Sequence, residues 1–134
     1  MIKHGWSVIC ERTIIDNTTN NVSLINCIEQ VTCSTLPVVL PQFSLCSYFY
    51  NSAEKSSNKL TIRMKLKNPD GSDNILAKAP LSIDMKKTRQ RIKMELSGIM
   101  LKQAGIYYFS IEQKNNNSWK TIAELPLELV YKPQ

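Results

Sequence analysis

Glycine and histidine are scarce in this chain, with four glycines and one histidine among 134 residues. No Gly-x-Gly-x-x-Gly and no Walker loop is present, which excludes the known backbone routes for cradling a phosphate. Nucleophilic catalysis needs a base beside the nucleophile, usually a His oriented by a carboxylate, and the one histidine, His4, lies in a terminal segment. A Ser-His-Asp or Cys-His site is not expected. Paired carboxylates are no better placed, because Asp70 and Asp73 fall in Asn68-Pro69-Asp70-Gly71-Ser72-Asp73, which has the chemistry of a turn. The chain therefore reads as a non-enzyme. No apolar run approaches the roughly 18 residues of a membrane-spanning helix, and the first ten residues lack the apolar core of a signal peptide. A soluble, cytoplasmic protein is expected.

The four cysteines, Cys10, Cys27, Cys33 and Cys46, include no Cys-x-x-Cys pair and no zinc-type spacing with His4. Neither a metal nor a cofactor is expected. In a reducing compartment such thiols stay free and behave as small hydrophobes. One register is specific, however. A four-residue loop at residues 17–20 pairs Asp16 with Asn21 and so sets Cys10 directly opposite Cys27.

At 43% hydrophobic and 21% charged, the chain has ordinary globular composition and the size of one domain, residues 1–134. The dominant pattern has a period of two, the mark of half-buried strands. Trp6, Val8, Cys10 and Ile14 alternate with polar residues in the first strand, and residues 22–32 resume a β-branched run, so the two form a hairpin. Residues 43–50 are apolar on nearly both faces, as in a central strand. Leu60, Ile62, Met64 and Leu66 alternate with Thr61, Arg63, Lys65 and Lys67. A further strand runs from Arg91, and two more flank the Asn115–Ser118 loop, with Pro126 implying an edge or a bulge. Turn signals recurring about every 8 to 12 residues point to an all-β, two-sheet antiparallel sandwich of about eight strands, immunoglobulin-like or C2-like.

Leu101-Lys102-Gln103-Ala104-Gly105-Ile106-Tyr107 resembles the tyrosine corner of immunoglobulin-like sandwiches, in which a Tyr opening a late strand bonds back to upstream backbone. Two departures set it apart from antibody domains. Gln103 stands where those often have Asp, and Phe109 stands where their inter-sheet Cys would be. The opening Cys10-Glu11-Arg12-Thr13-Ile14-Ile15-Asp16, with Asn20-Asn21-Val22-Ser23-Leu24-Ile25-Asn26, resembles the start of a family of small uncharacterised bacterial β-sandwich proteins. That resemblance covers the first 30 or so residues and implies a bacterial sandwich without an active site; a fold alone does not fix function.

The formal charge is +6, and it is unevenly spread: residues 1–57 carry a net −1 and residues 58–134 a net +7. Lys86, Lys87, Arg89, Arg91 and Lys93 put five cations in eight residues, and Arg63, Lys65 and Lys67 make a second basic strand face. Side by side, Arg89, Arg91 and Lys93 with Arg63, Lys65 and Lys67 would line one sheet face and track phosphates. Tyr48, Tyr50 and Tyr108 are not interleaved with those cations in sequence, and Trp6 and Trp119 fall on the apolar phase, where core packing is expected. The leading expectation is a noncatalytic module that binds another protein or itself through a sheet face or edge. The alternative is nucleic-acid or polyanion binding through the basic strand face.

Overall fold

At Asp16 the chain reverses. The Asp16 carboxylate accepts backbone N–H bonds from Thr18 (2.7 Å) and Thr19 (3.0 Å), Asn20 takes a positive φ of 60°, and the Asp16 N–H donates to the Asn21 carbonyl at 2.9 Å. Asn and Asp tolerate such turns because their side chains bond locally. The hairpin so closed joins β1 (Ile2–Ile15) to β2 (Val22–Cys27), with Cys10 opposite Cys27. The computed structural model describes residues 2–51, 58–76, 81–85 and 88–134.

The expected long second strand is broken in two. Asn26 adopts φ 52°, and after Glu29 the chain enters β3 (Gln30–Cys33), which pairs in parallel with the last strand. Short strands account for the rest of the difference between about eight expected strands and the twelve found among the described residues. They are β4 (Val38–Val39), set between Pro37 and Pro41, β7 (Asp73–Ile75), which follows the Pro69–Gly71 turn, and β10 (Met100–Leu101), which follows Gly98. The longer strands are β5 (Phe43–Asn51), β6 (Asn58–Lys67), β8 (Leu81–Met85), β9 (Arg89–Leu96), β11 (Gly105–Asn115) and β12 (Ser118–Tyr131). Among the described residues there is no helix, and so none long and apolar enough to cross a membrane.

A four-stranded sheet has the order β2-β1-β5-β9, and a six-stranded sheet has β3-β12-β11-β6-β7 with β8 also pairing β6; β4 and β10 form a separate ribbon. The fold is thus an all-β sandwich, as expected, with one parallel pair among the described residues. β5 is central, and every residue from Phe43 to Ser47 is buried. Ile9, Leu45, Phe49 and Ile92 of the smaller sheet meet Leu60, Met64, Phe109 and Leu127 of the larger in one core. Phe43 and Phe109 join them edge to face, with centroids 5.6 Å apart.

Tyr107 opens β11 just after the turn and is 1% exposed. Its hydroxyl donates to the Gln103 carbonyl at 2.6 Å and accepts the Gln103 N–H at 3.3 Å. Gly105 has φ 135°, and a Cβ there would come within 2.9 Å of the Pro69 ring. Glycine is what lets this corner close on the β6–β7 turn. Pro126 sits opposite Tyr108, while β12 meets β3 only over Glu128–Tyr131. The missing donor at Pro126 therefore falls where the strand has one paired side.

Candidate functional site

Alternation along β5 sends Leu45, Ser47 and Phe49 inward and Cys46, Tyr48 and Tyr50 outward. Pairing then builds rows across the outer face of the smaller sheet: Lys3, Tyr50 and Arg89; Trp6, Tyr48 and Arg91; Val8, Cys46 and Lys93. Trp6 and Tyr48 stack with centroids 5.8 Å apart at 27°, and Tyr48 and Tyr50 at 6.1 Å and 26°. The rings form a strip between Lys3 on one flank and the β9 cations on the other.

Trp6 shares this face with Val8 and Cys10, and β1 bulges just before it. The register slips between His4 and Trp6, so that His4 pairs Phe49 and Trp6 pairs Tyr48. Gly5 lies in the slip under the Tyr48 ring, where an added Cβ would overlap the ring and stand 3.2 Å from the Tyr48 carbonyl oxygen. Core packing was the expectation for Trp6. Instead Ile9, the exception to the sequence alternation, points into the core, while Trp6, Val8 and Cys10 take the outer face.

The β1–β2 loop folds back over that face. Arg91 Nη2 donates to Asn20 Oδ1 at 2.9 Å, which carries the loop from the β1 side across β5 to β9. Between loop and sheet lies an open cleft of about 1160 Å³, with Trp6, Tyr48, Arg89 and Arg91 on the sheet side and Ile15 and Asn21 on the hairpin side. Guanidinium groups beside aromatic faces suit a ligand that is both planar and anionic.

The two basic strand faces are not joined. Arg89, Arg91 and Lys93 lie on β9 in the smaller sheet, whereas Arg63, Lys65 and Lys67 lie on β6 in the larger, so six cations do not share one face. Lys86 and Lys87 lie outside the described residues. On β9, Lys93 pairs with Glu95 at 3.1 Å, both exposed, an arrangement worth little in water. On β6, Arg63 Nε donates to Glu112 at 2.7 Å, and Lys65 lies 3.5 Å from the same carboxylate and 3.9 Å from Asp73. Burial pushes the Glu112 carboxyl up, but the bond from Arg63 and the charges of Arg63 and Lys65 outweigh it and hold the group below its usual value. Those two cations are thus neutralised locally, and Lys67 stands opposite Tyr108.

Trp119 also leaves the core, and here a bulge is the reason. The β11–β12 register slips between Ile111 and Glu112, which places Trp119 under the Arg63 guanidinium, 4.2 Å from the ring centroid, with Lys114 at 5.9 Å.

His4 lies within β1. Its Nε2 is hydrogen-bonded to Ser7 Oγ at 2.6 Å, and Ser7 Oγ to Ser47 Oγ at 2.7 Å, with the imidazole edge-on to Phe49 at 5.4 Å. This line of polar atoms lies on the core side of the sheet, opposite the cleft. Burial lowers the His4 pKa against a smaller opposing effect of a backbone bond at Trp6. The four cysteines are free thiols, and among the described residues no group of three or more His, Cys, Asp or Glu side chains is placed to hold a metal.

No curated protein matches this sequence. Among solved structures, the fold is similar to that of Pseudomonas fluorescens alkylpurine DNA glycosylase AlkC bound to DNA containing an abasic site analog, with a TM-score of 0.58 and 11% identity over 96% of this chain and 30% of that one. This chain spans less than a third of that protein, and the likeness is one of fold. Residues 5–127, which include the aromatic strip and the cations of β9, match the family of unknown function DUF6941, and the chain belongs to that family.

Proposed function

We propose that this chain is a noncatalytic bacterial cytoplasmic module that binds single-stranded nucleic acid in the cleft of its smaller sheet. The observation that carries this reading is the cross-strand register that sets Tyr48 between Trp6 and Arg91, and Tyr50 between Lys3 and Arg89. Bases stack on aromatic side chains at about 1–3 kcal/mol each with little regard to sequence, and flanking cations follow the backbone. The fold-level neighbour carries DNA, which makes nucleic acid a sensible first ligand. The noncatalytic part is supported by His4, which bonds toward Ser7 and Ser47 on the side of the sheet away from the cleft.

Fluorescence anisotropy of labelled single- and double-stranded DNA and RNA, titrated with the reduced chain across a salt series, tests the proposal. Single strands bind more tightly than duplexes, affinity falls as salt rises, and Tyr48→Ala or Arg91→Glu weakens binding at least about tenfold. Lys67→Glu, on the other sheet, changes it far less. Absence of binding at low salt, or full binding by Tyr48→Ala, refutes the reading.

A protein partner or self-association is the second reading. It is favoured by Val39 and Met100, which face each other across the β4–β10 ribbon and are 53% and 51% exposed. Light scattering of the purified chain that finds a dimer, lost in Met100→Glu, supports this reading, and a monomer at every concentration counts against self-association.

A further inference from the structure

Cys10 and Cys27 face one another across the base of the β1–β2 hairpin, and we propose that they form a reversible disulfide by exchange with a low-molecular-weight disulfide. The Ile28 N–H donates to the Ile9 carbonyl at 2.8 Å, so the adjoining Cys10–Cys27 position is a non-hydrogen-bonded pair. That kind of pair brings Cα atoms to about 4.5 Å with side chains close together, inside the range of about 4.4–6.8 Å that a disulfide bridges. Competing pairings fit less well. Cys46 stands opposite Val8 while Cys10 stands opposite Ser44, a diagonal of about 7–8 Å, and Cys33 lies on β3 in the other sheet.

Accessibility sets the order of events. Cys27 is exposed and Cys10 is 0% exposed, and burial, with Cys46 and Cys27 nearby, raises the Cys10 thiol against the opposing charge of Lys93. The Cys27 thiolate attacks one sulfur of the small disulfide, forming a mixed disulfide and expelling one small thiolate. Cys10 then gives its proton to solvent, and its sulfur attacks Cys27 Sγ and expels the second thiolate. The protein dithiol is oxidised by two electrons, and one small disulfide is reduced to two thiols. In a reducing compartment the resting form is the dithiol, and the bridge appears when the ratio of small disulfide to thiol rises. It ties the base of the hairpin whose far end covers the cleft.

The test is incubation of the reduced full chain with oxidised glutathione, acid quenching, alkylation of remaining thiols, and intact-mass and peptide mapping. The expected product has two alkylated cysteines, Cys33 and Cys46, a cross-linked peptide joining residues 10 and 27, and full recovery of four thiols with dithiothreitol. Cys46→Ser keeps the cross-link. Cys27→Ser, a change at an exposed side chain, ends with three thiols and no internal bridge. Four alkylatable thiols after oxidation, a glutathione adduct that persists on Cys27, or a cross-link through Cys33 or Cys46 overturns the proposal.

Discussion

Replacing Tyr107 by Phe removes one oxygen atom from a site that is 1% exposed. That hydroxyl donates to the Gln103 carbonyl at 2.6 Å and accepts the Gln103 N–H at 3.3 Å. In Tyr107→Phe both backbone groups lose their partner while the ring keeps its packing. A hydrogen bond lost with one partner left behind costs about 1–3 kcal/mol; Gln103 is half-buried and water relieves part of the loss, so about 1.5 kcal/mol is expected. With about 2.1 cal/mol/K of unfolding entropy per residue, 134 residues give about 0.3 kcal/mol/K, and Tm should fall by about 5 °C. Urea unfolding followed by far-UV circular dichroism should show the same loss as a lower midpoint at unchanged slope. Gln103→Ala is the control. Both bonds run to the backbone of residue 103, and its side chain reaches the fully exposed Asp70, so this variant should stay within about 0.5 kcal/mol of the parent. A Tyr107→Phe chain as stable as the parent, or a Gln103→Ala chain as damaged as Tyr107→Phe, refutes the claim that the corner is held by backbone bonds.

Two further expectations concern β1. Gly5→Ala forces the Tyr48 ring off its seat, which should cost about 1–3 kcal/mol and diminish the near-ultraviolet circular dichroism of the Trp6–Tyr48 stack; a parent-like spectrum and Tm would show that the bulge has room. For His4, burial lowers the folded-state pKa, so the unfolded chain binds a proton at higher pH than the folded one. Stability from the neutral imidazole is present above about pH 6.5 and declines as pH falls below that value toward the folded pKa. The urea midpoint should drop between about pH 7.5 and pH 5.5, and the drop should shrink in His4→Gln; equal drops in the two chains would remove the histidine as the cause.

Local chemistry made part of this molecule legible. The turn formers from Asp16 to Asn21 fixed the loop length, and loop length fixed the Cys10–Cys27 register, because a hairpin allows little else. The two-sided apolar character of residues 43–50 marked a central strand for a similar reason. Trp119 departs from expectation because a bulge separates it from Leu125 and Leu127, and one inserted residue moves every later side chain to the other face; Trp6 does so because the phase it shares with Val8 and Cys10 faces outward, with Ile9 on the core side. The break of residues 22–32 into β2 and β3 is not legible in the sequence, because β-branched residues serve either sheet equally well. The aromatic strip was hidden for a different reason. Tyr48 and Arg91 are 43 positions apart, and alternation says which face each occupies without saying which strand lies beside it. The outward phase of Tyr48 and Tyr50 was the available signal, and it lacked only the pairing of β5 with β9.

The parallel ladder between β3 and β12 bears on how the chain folds during synthesis. β3 emerges early, yet its described partner spans Glu128–Tyr131, so β3 waits with an open edge while almost a hundred further residues are made. The hairpin and the β1-β5-β9 sheet can assemble from what has already been made, whereas the larger sheet closes only once β12 has followed. Long-range closure of this sort is slow and leaves unpaired strand edges exposed meanwhile. The waiting interval of β3, more than the stability of the finished sandwich, is where a chaperone would be of use.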